Sequence, residues 1–445
     1  MAFVIAEMMS GLCHLDINGH KLTDIGLLTI LRRCHYLKLS EISKPKTTNK
    51  GLNGRTVSRV SQHQAEQTTV RMKKKNPLFL PHDLIIQIRL MLPVNSLIRF
   101  KCVCKSWFSL ISHNTEFANS NLELTSTTHT RRIMLILTPP PKTQSVDIEL
   151  PLYASASMNN NFLCPQSYFD IGIKGSCRGF ILLHCGACFY LWNPSIGHHK
   201  QIPLSPIDYI FNLYGFGYDH STNDYLVVSI SRDQIPYSDD VLSHLWLFLL
   251  RATVWKEIAC TTHLPFYTNV SSLVRQVESF FNGAIHWLAL RHDIYDHVIV
   301  AFHLTERKLL EILLPIDINY NSKGCGFWVF RGFLSLWILR DDNVDIWVMK
   351  EYKVHSSWTK ILVLPIYDDI PYFCPLSYTK NGDIIGTDGG TGLVKYNDKG
   401  EFLEHNSYCE DAHGFRLAMY TESLLSLPND KLTMTKLKKT SKQEE

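Results

Sequence analysis

The chain of 445 residues has no uninterrupted apolar run approaching the roughly 18 to 20 residues that a membrane-spanning helix needs. Its opening, MAFVIAEMMSG, has no basic stretch ahead of the apolar residues, as a secretion signal would. Both absences point to a soluble, unprocessed chain of the cytoplasm or nucleus with no membrane partner. Cysteine is sparse: 12 residues, spread from Cys13 to Cys409, are under 3% of the chain, which excludes a disulfide-built scaffold and fits reduced thiols. Cys185 and Cys188 form a C-x-x-C with Cys177 and Cys164 upstream, but the second pair of a zinc finger is missing, so packing is their expected role. No metal and no cofactor is assigned. There is no P-loop, no Gly-rich kinase loop, no G-x-S-x-G elbow and no repeated Asp-box of the sialidase kind. No two carboxylates stand in a recognisable acid and nucleophile motif, so a catalytic role for this chain is not expected.

An excess of basic charge is also missing from the part that can fold. The net charge is +4, yet residues 41 to 76 carry nine basic and two acidic side chains and the tail 431 to 445 carries five and two. These polar segments have too little apolar content to build a core. Residues 77 to 430 hold 27 basic and 34 acidic side chains, a mildly acidic body. The pI of 8.3 thus reflects segments 41–76 and 429–445, read as a basic disordered linker and tail, and no nucleic-acid partner is assigned.

What the sequence does contain changes period along its length. From Asn76 to Phe117 the pattern is helical. Pro81 suits the first turn of a helix, where its missing N–H is not needed, and Leu84, Ile85, Ile88 and Leu92 recur at helical spacing. Pro93 ends that helix and can open the next, whose apolar stripe is Leu97, Phe100 and Val103; Trp107, Leu110 and Ile111 supply a third. Three short helices have more apolar surface than they can hide among themselves, so the module calls for a partner.

From Arg131 to about Pro428 the period becomes that of β-structure. Runs rich in β-branched and aromatic residues, such as RRIMLIL, YLVVSIS and HVIVAFHL, alternate with Gly, Asn, Asp and Pro turns. Tight turns with Gly179, Gly283, Gly332 and Gly382 follow one another at intervals of 104, 49 and 50, the first being two repeats. An aromatic in a later strand recurs at Trp192, Phe248, Phe302, Trp347 and Tyr396, a mean interval of 51. A period near fifty with about four strands per unit predicts a β-propeller of about six blades, and a β-sandwich gives no reason for such a period. The fold class expected is mainly β: a three-helix module followed by a propeller.

Two stretches resemble known families. LPHDLIIQI, LPVNSLIRFKCVCKSW and SLIS, within residues 77–117, resemble the F-box, which docks substrate receptors onto the Skp adaptor of cullin-RING ubiquitin ligases. Gln87 stands where many members carry Glu. GSCRGFILL, LWNPSIGHHKQIP, YGFGYDHSTNDYLVVSI and FFNGAIHWLA, within 131–428, resemble the F-box-associated domain of the plant F-box and kelch-repeat-type family. Only one Gly-Gly pair, Gly389-Gly390, is present, so the kelch label is loose. The resemblance implies a substrate-recognition subunit of a Skp-cullin-F-box ubiquitin ligase. It implies adaptor-facing or module-core roles for Leu80, Pro81, Leu84, Ile88, Leu92, Pro93, Leu97, Val103, Cys104 and Trp107. The rival is a stand-alone propeller binding a carbohydrate or small ligand. Residues 1 to 40 resemble one leucine-rich repeat and the start of another; such a unit cannot bury its own apolar face and is read as a remnant.

Antiparallel order places the second-to-third and blade-to-blade loops on one face, where the charges sum to −8, while the opposite turns sum to +4. The acidic loops also carry tyrosines, which are rigid and amphipathic. The client-binding positions expected are Asp208, Tyr209, Tyr237, Asp239, Asp240, Tyr295, Asp296, Tyr320, Tyr367, Asp368, Asp369 and Tyr372, facing an unknown protein client with a basic surface. Brief protease treatment is expected to cut first between Ser40 and Asn76, leaving a resistant fragment by mass spectrometry. First cleavage inside 131–428 would contradict a closed ring.

Overall fold

A computed structural model describes residues 86–87, 89–126, 131–137, 142–154, 156–158, 171–207, 212–232, 243–258, 267–269, 279–294, 296–315, 324–368, 370, 372–409 and 415–428. The leucine-rich segment 1–40, the linker 41–76 and the tail 429–445 lie outside the described residues, as do Leu80, Pro81, Leu84 and Ile88.

Among the described residues, helical positions 86–87 and 89–90 precede three helices: α1 (Val94–Phe100), α2 (Lys105–His113) and α3 (Thr115–Ser126). Pro93 opens α1, its carbonyl accepting the amides of Ser96 and Leu97 at 3.0 and 3.1 Å. Asn114 both ends α2 and caps the next helix, its Oδ1 accepting the Phe117 amide at 2.9 Å.

Six antiparallel sheets follow, and they form a six-bladed propeller of chiefly four-stranded blades. One sheet runs β4 (Ile171–Cys177), β5 (Phe180–Cys185), β6 (Cys188–Asn193), β7 (His198–Pro203) from the axis outward. The next holds β8 (Leu213–Asp219), β9 (Asp224–Arg232), β10 (Ser243–Leu249) and β11 (Val254–Ile258). The following blade departs from four strands: both β12 (Tyr267–Asn269) and β13 (Ser279–Phe281) pair with β14 (Ala284–Arg291), which precedes β15 (Asp296–His303) and β16 (Lys308–Leu313). Then come β17 (Gly324–Phe330), β18 (Phe333–Leu339), β19 (Asn343–Met349) and β20 (Trp358–Pro365), followed by β21 (Cys374–Tyr378), β22 (Ile384–Thr387), β23 (Gly392–Tyr396) and β24 (Phe402–Ser407). The last sheet joins the two ends of the ring: β25 (Phe415–Thr421) is innermost, beside β1 (Arg131–Leu137), β2 (Lys142–Asp147) and β3 (Ala156–Met158).

Burial explains why the strands read as they do. The second and third strands of a blade are covered on both faces, so FILLHC and DHVIVAFH are near-continuous apolar runs, whereas the outer HHKQIP alternates. The recurring aromatics Trp192, Phe248, Phe302, Trp347 and Tyr396 all lie on third strands, and all but Trp347 are fully buried. Three of the four tight turns are two-residue hairpins with positive φ at both central positions, 51° and 86° at Arg178-Gly179, 49° and 74° at Asn282-Gly283, 49° and 82° at Arg331-Gly332; at Gly382 a longer connection joins β21 to β22, and Gly382 alone in it has a positive φ, 93°. The two-residue turn type twists with the strands it joins.

Blades meet through side chains laid on neighbouring backbone. Trp287 of β14 lies against Gly215 of β8 and donates its indole N–H to the Tyr214 carbonyl at 2.7 Å. A Cβ at Gly215 would stand 2.6 Å from the Trp287 ring and 2.7 Å from Ile285. Gly215→Val is therefore expected to lower unfolding free energy by about 1–3 kcal/mol in urea titrations.

Candidate functional site

The helical module is built on a small core. Leu92 and Leu97 are buried, and Trp107 is buried edge-on to Phe100 with ring centroids 5.1 Å apart. Asn121 of α3 completes it, giving its amide to the carbonyls of Leu90 at 2.8 Å and Leu92 at 3.2 Å. Of the remaining positions expected to serve an adaptor, Pro93 is exposed, Val103 is half-buried and Cys104 is exposed just before α2. Three large apolar side chains of the module point to water: Met91 at 63%, Phe108 at 49% and Leu124 at 41% exposure. Core and outward-facing positions, which the sequence leaves mixed, are thus separated.

The module is fastened to one face of the ring, the face of the first-to-second and third-to-fourth strand turns. Asn95 of α1 donates to Glu422 at 2.8 Å, just beyond β25. Glu422 also faces Arg132 at 3.4 Å, and Arg132 in turn donates to Ser145 at 2.6 Å, whose hydroxyl bonds Tyr420 at 2.9 Å. Burial pushes the Glu422 carboxyl above the ordinary range, and Arg132 and Asn95 work against that rise. A second tie runs from Arg178, in the β4–β5 turn, to Asn119 of α3 at 2.6 Å. The C-terminal segment is held from below by Asn193, whose amide reaches the carbonyls of Ser423 at 3.1 Å and Leu425 at 3.0 Å.

On the opposite face, where second strands connect to third strands and blades to blades, Asp296 opens β15 opposite Arg291. Tyr367, Asp368 and Tyr372 are exposed between β20 and β21, with the Tyr367 ring edge-on to Phe402 at 5.8 Å. Asp208, Tyr209, Tyr237, Asp239, Asp240, Tyr295, Tyr320 and Asp369 lie outside the described residues. Two acidic groups counted on this face are committed locally. Arg291 grips Asp293 through two bonds of 2.8 Å, and that grip holds the carboxyl low. Burial opposes the charge on Asp388, but the amides of Gly392, Gly390 and Thr391 and the Thr391 hydroxyl outweigh it and keep the carboxyl below its usual range.

Two thiols, half-buried Cys177 and buried Cys374, lie on inner strands. Burial pushes Cys177 and Cys374 each up to about 12, so both stay protonated near neutrality and are poor nucleophiles. Cys188 gives its S–H to the Cys185 carbonyl within their hairpin, a packing arrangement.

Residues 122–391 match the family described as F-box associated beta propeller domain, and residues 78–117 match the family described as F-box-like. The chain belongs to the plant F-box proteins. Among relatives of this family, the F-box/kelch-repeat protein At3g23880 of Arabidopsis thaliana is 30% identical over 374 residues, covering 80% of this chain and 97% of that protein. The F-box protein CPR1, also of Arabidopsis thaliana, is 28% identical over 334 residues, covering 68% and 78%.

The F-box boundary at Phe117 agrees with the matched residues 78–117, but α3 has no counterpart in the sequence reading, although Asn114 followed by Phe117, Ala118 and Leu122 is a capped, helically spaced apolar set. It also missed Asn95, Asn119 and Glu422, which fasten the F-box to the ring; no local pattern marks a bond between residues 327 positions apart. Trp107→Ala should cost about 3–5 kcal/mol and Asn121→Ala about 1–3, because each empties or strands a buried position. Hydrogen exchange of amides 94–126 is the measurement, with faster exchange expected in both variants.

Proposed function

We propose that this chain is the substrate-recognition subunit of a Skp-cullin-F-box ubiquitin ligase. The F-box helices dock a Skp-type adaptor, and through it the cullin-RING core, while the propeller holds a protein client. The chain acts without a catalytic side chain or cofactor of its own: it brings the client to the ubiquitin-bearing partner, and proximity supplies the rate. Such work takes place in the cytoplasm or nucleus; among the described residues no helix is long and apolar enough to cross a membrane.

The observation that carries this reading is the division of the two faces. Asn95–Glu422 and Arg178–Asn119 seat the F-box on the turn face. The loop face, with exposed Tyr367, Asp368 and Tyr372, is on the other side of the ring. Adaptor and client can then be bound at once without competing for surface. Met91, Phe108 and Leu124 provide apolar area for an adaptor, with the buried Leu92, Leu97 and Trp107 holding them in place.

The client reading assigns Asp208, Tyr209, Tyr237, Asp239, Asp240, Tyr295, Asp296, Tyr320, Tyr367, Asp368, Asp369 and Tyr372 to a surface for a basic protein segment. Strands β9 and β10 end and begin on the loop face on either side of Asp239 and Asp240, as β20 and β21 do for Asp368 and Asp369. Association through such a face weakens with salt.

Two pull-downs check the assignment. Phe108→Asp should leave the melting temperature unchanged and lower co-purification of the Skp adaptor about tenfold or more; capture at wild-type yield would refute adaptor docking through these helices. Reversing Asp239, Asp240, Asp368 and Asp369 to Lys should abolish client capture and leave adaptor capture intact. Client recovery that survives the reversal, at both low and high salt, would refute the acidic face.

A further inference from the structure

The propeller axis encloses a cavity of about 390 Å³, within the size range of small-molecule sites. All six blades contribute innermost strands to its wall: β25, β4, β8, β13, β17 and β21. Phe327, Trp328 and Trp337 give one side of that wall a flat aromatic character, and Leu417 and Met419 give the other an aliphatic one. Phe280 is 38% exposed, so the cavity communicates with water.

The polar groups are one-sided. Arg131, Arg178 and His220 line the cavity, and no lining residue is a carboxylate. Among the described residues neither Arg131 nor Arg178 is paired with an acidic side chain: Arg131 lies over the Tyr378 ring at 5.7 Å, and Arg178 lies over Tyr218 at 4.4 Å and bonds the neutral Asn119. Water in the cavity does not balance two guanidinium charges; an anion does.

We propose that the axial cavity is a binding site for a small organic anion, a carboxylate, sulfonate or phosphate ester carried on a flat apolar body. Its acceptor oxygens are met by Arg131 and Arg178, where charge-assisted hydrogen bonds are strongest. Its body lies on the Phe327, Trp328 and Trp337 wall. The site is distinct from the loop face, so it stands whether or not a basic client binds there.

The test titrates the full-length chain with 8-anilinonaphthalene-1-sulfonate and with N-phenyl-1-naphthylamine, which has the same aromatic body without the sulfonate. Calorimetry and probe fluorescence should show one saturable sulfonate site, with the uncharged probe about tenfold weaker. Arg131→Gln should remove that difference, Arg131→Lys should retain most of it, and Val329→Phe, which fills the wall, should weaken both probes. Circular dichroism melts establish that each variant is folded; a variant that is not folded is replaced by Leu417→Phe for the wall or Arg178→Gln for the charge. Equal affinity for the two probes, sulfonate affinity unmoved by both the charge and the wall variants, or no saturable binding by the wild-type chain would overturn the proposal.

Discussion

The pairing of β1 with β25 is the constraint on which the molecule rests. It joins Arg131–Leu137 to Phe415–Thr421 over the full length of both strands, so the first and last strands of the ring share one blade. A propeller blade has little to hold it except its neighbours, and an unjoined ring would leave two blade faces in water. Here those faces are closed by Ile133, Leu135, Ile385, Leu393 and Phe415 on one side and by Met134, Ile136, Ile181 and Trp192 on the other. Burial of apolar surface at both seams makes closure favourable, and the ladder fixes its register.

The F-box is attached at the same blade. Glu422 follows directly on β25, Arg132 belongs to β1, and Ser145 belongs to β2, so the bonds that seat α1 are made by the strands that close the ring. Glu422 and Arg132 are largely shielded, with side-chain exposures of 8% and 14%. An ion pair so placed adds little net stability compared with apolar packing, but losing one partner leaves a stranded charge at a cost of about 3–5 kcal/mol. It therefore acts chiefly as a fixing point, setting where the helices sit. For a receptor that works by proximity, as proposed here, a fixed distance between adaptor and client is worth more than a strong bond.

Much of this was legible in the chain. The fifty-residue period found the blades because each one repeats a Gly turn and a third-strand aromatic, and both have a local physical cause: positive φ at residues such as Gly332, and a buried slot such as that filled by Tyr396. The F-box helices were legible for the same reason, since Leu97 and Phe100 in α1, and Trp107 and Ile111 in α2, fall at helical spacing around one core. What could not be read depends on distance. The pairing of β12 with β14, the closure by β25 and the seat made by Asn95 and Glu422 each unite residues well separated in sequence, and alternation of apolar and polar positions carries no record of partners. The summed charge of the loop face is unchanged by local bonding, but two of its acids are already engaged: Arg291 holds Asp293 and the Gly390–Gly392 amides hold Asp388.

The bond between Asn95 and Glu422 spans 327 residues, and that separation sets a schedule. At ordinary elongation rates of about 5–20 residues per second, the partner of Asn95 leaves the ribosome roughly 15 to 65 seconds after Asn95 itself. Throughout that interval the F-box helices are synthesised but unseated, and the blades already made have no closing strand. On the reading proposed above, the newborn protein presents its adaptor-docking end well before its client surface is finished, a window in which only an adaptor, or a chaperone, has anything to hold.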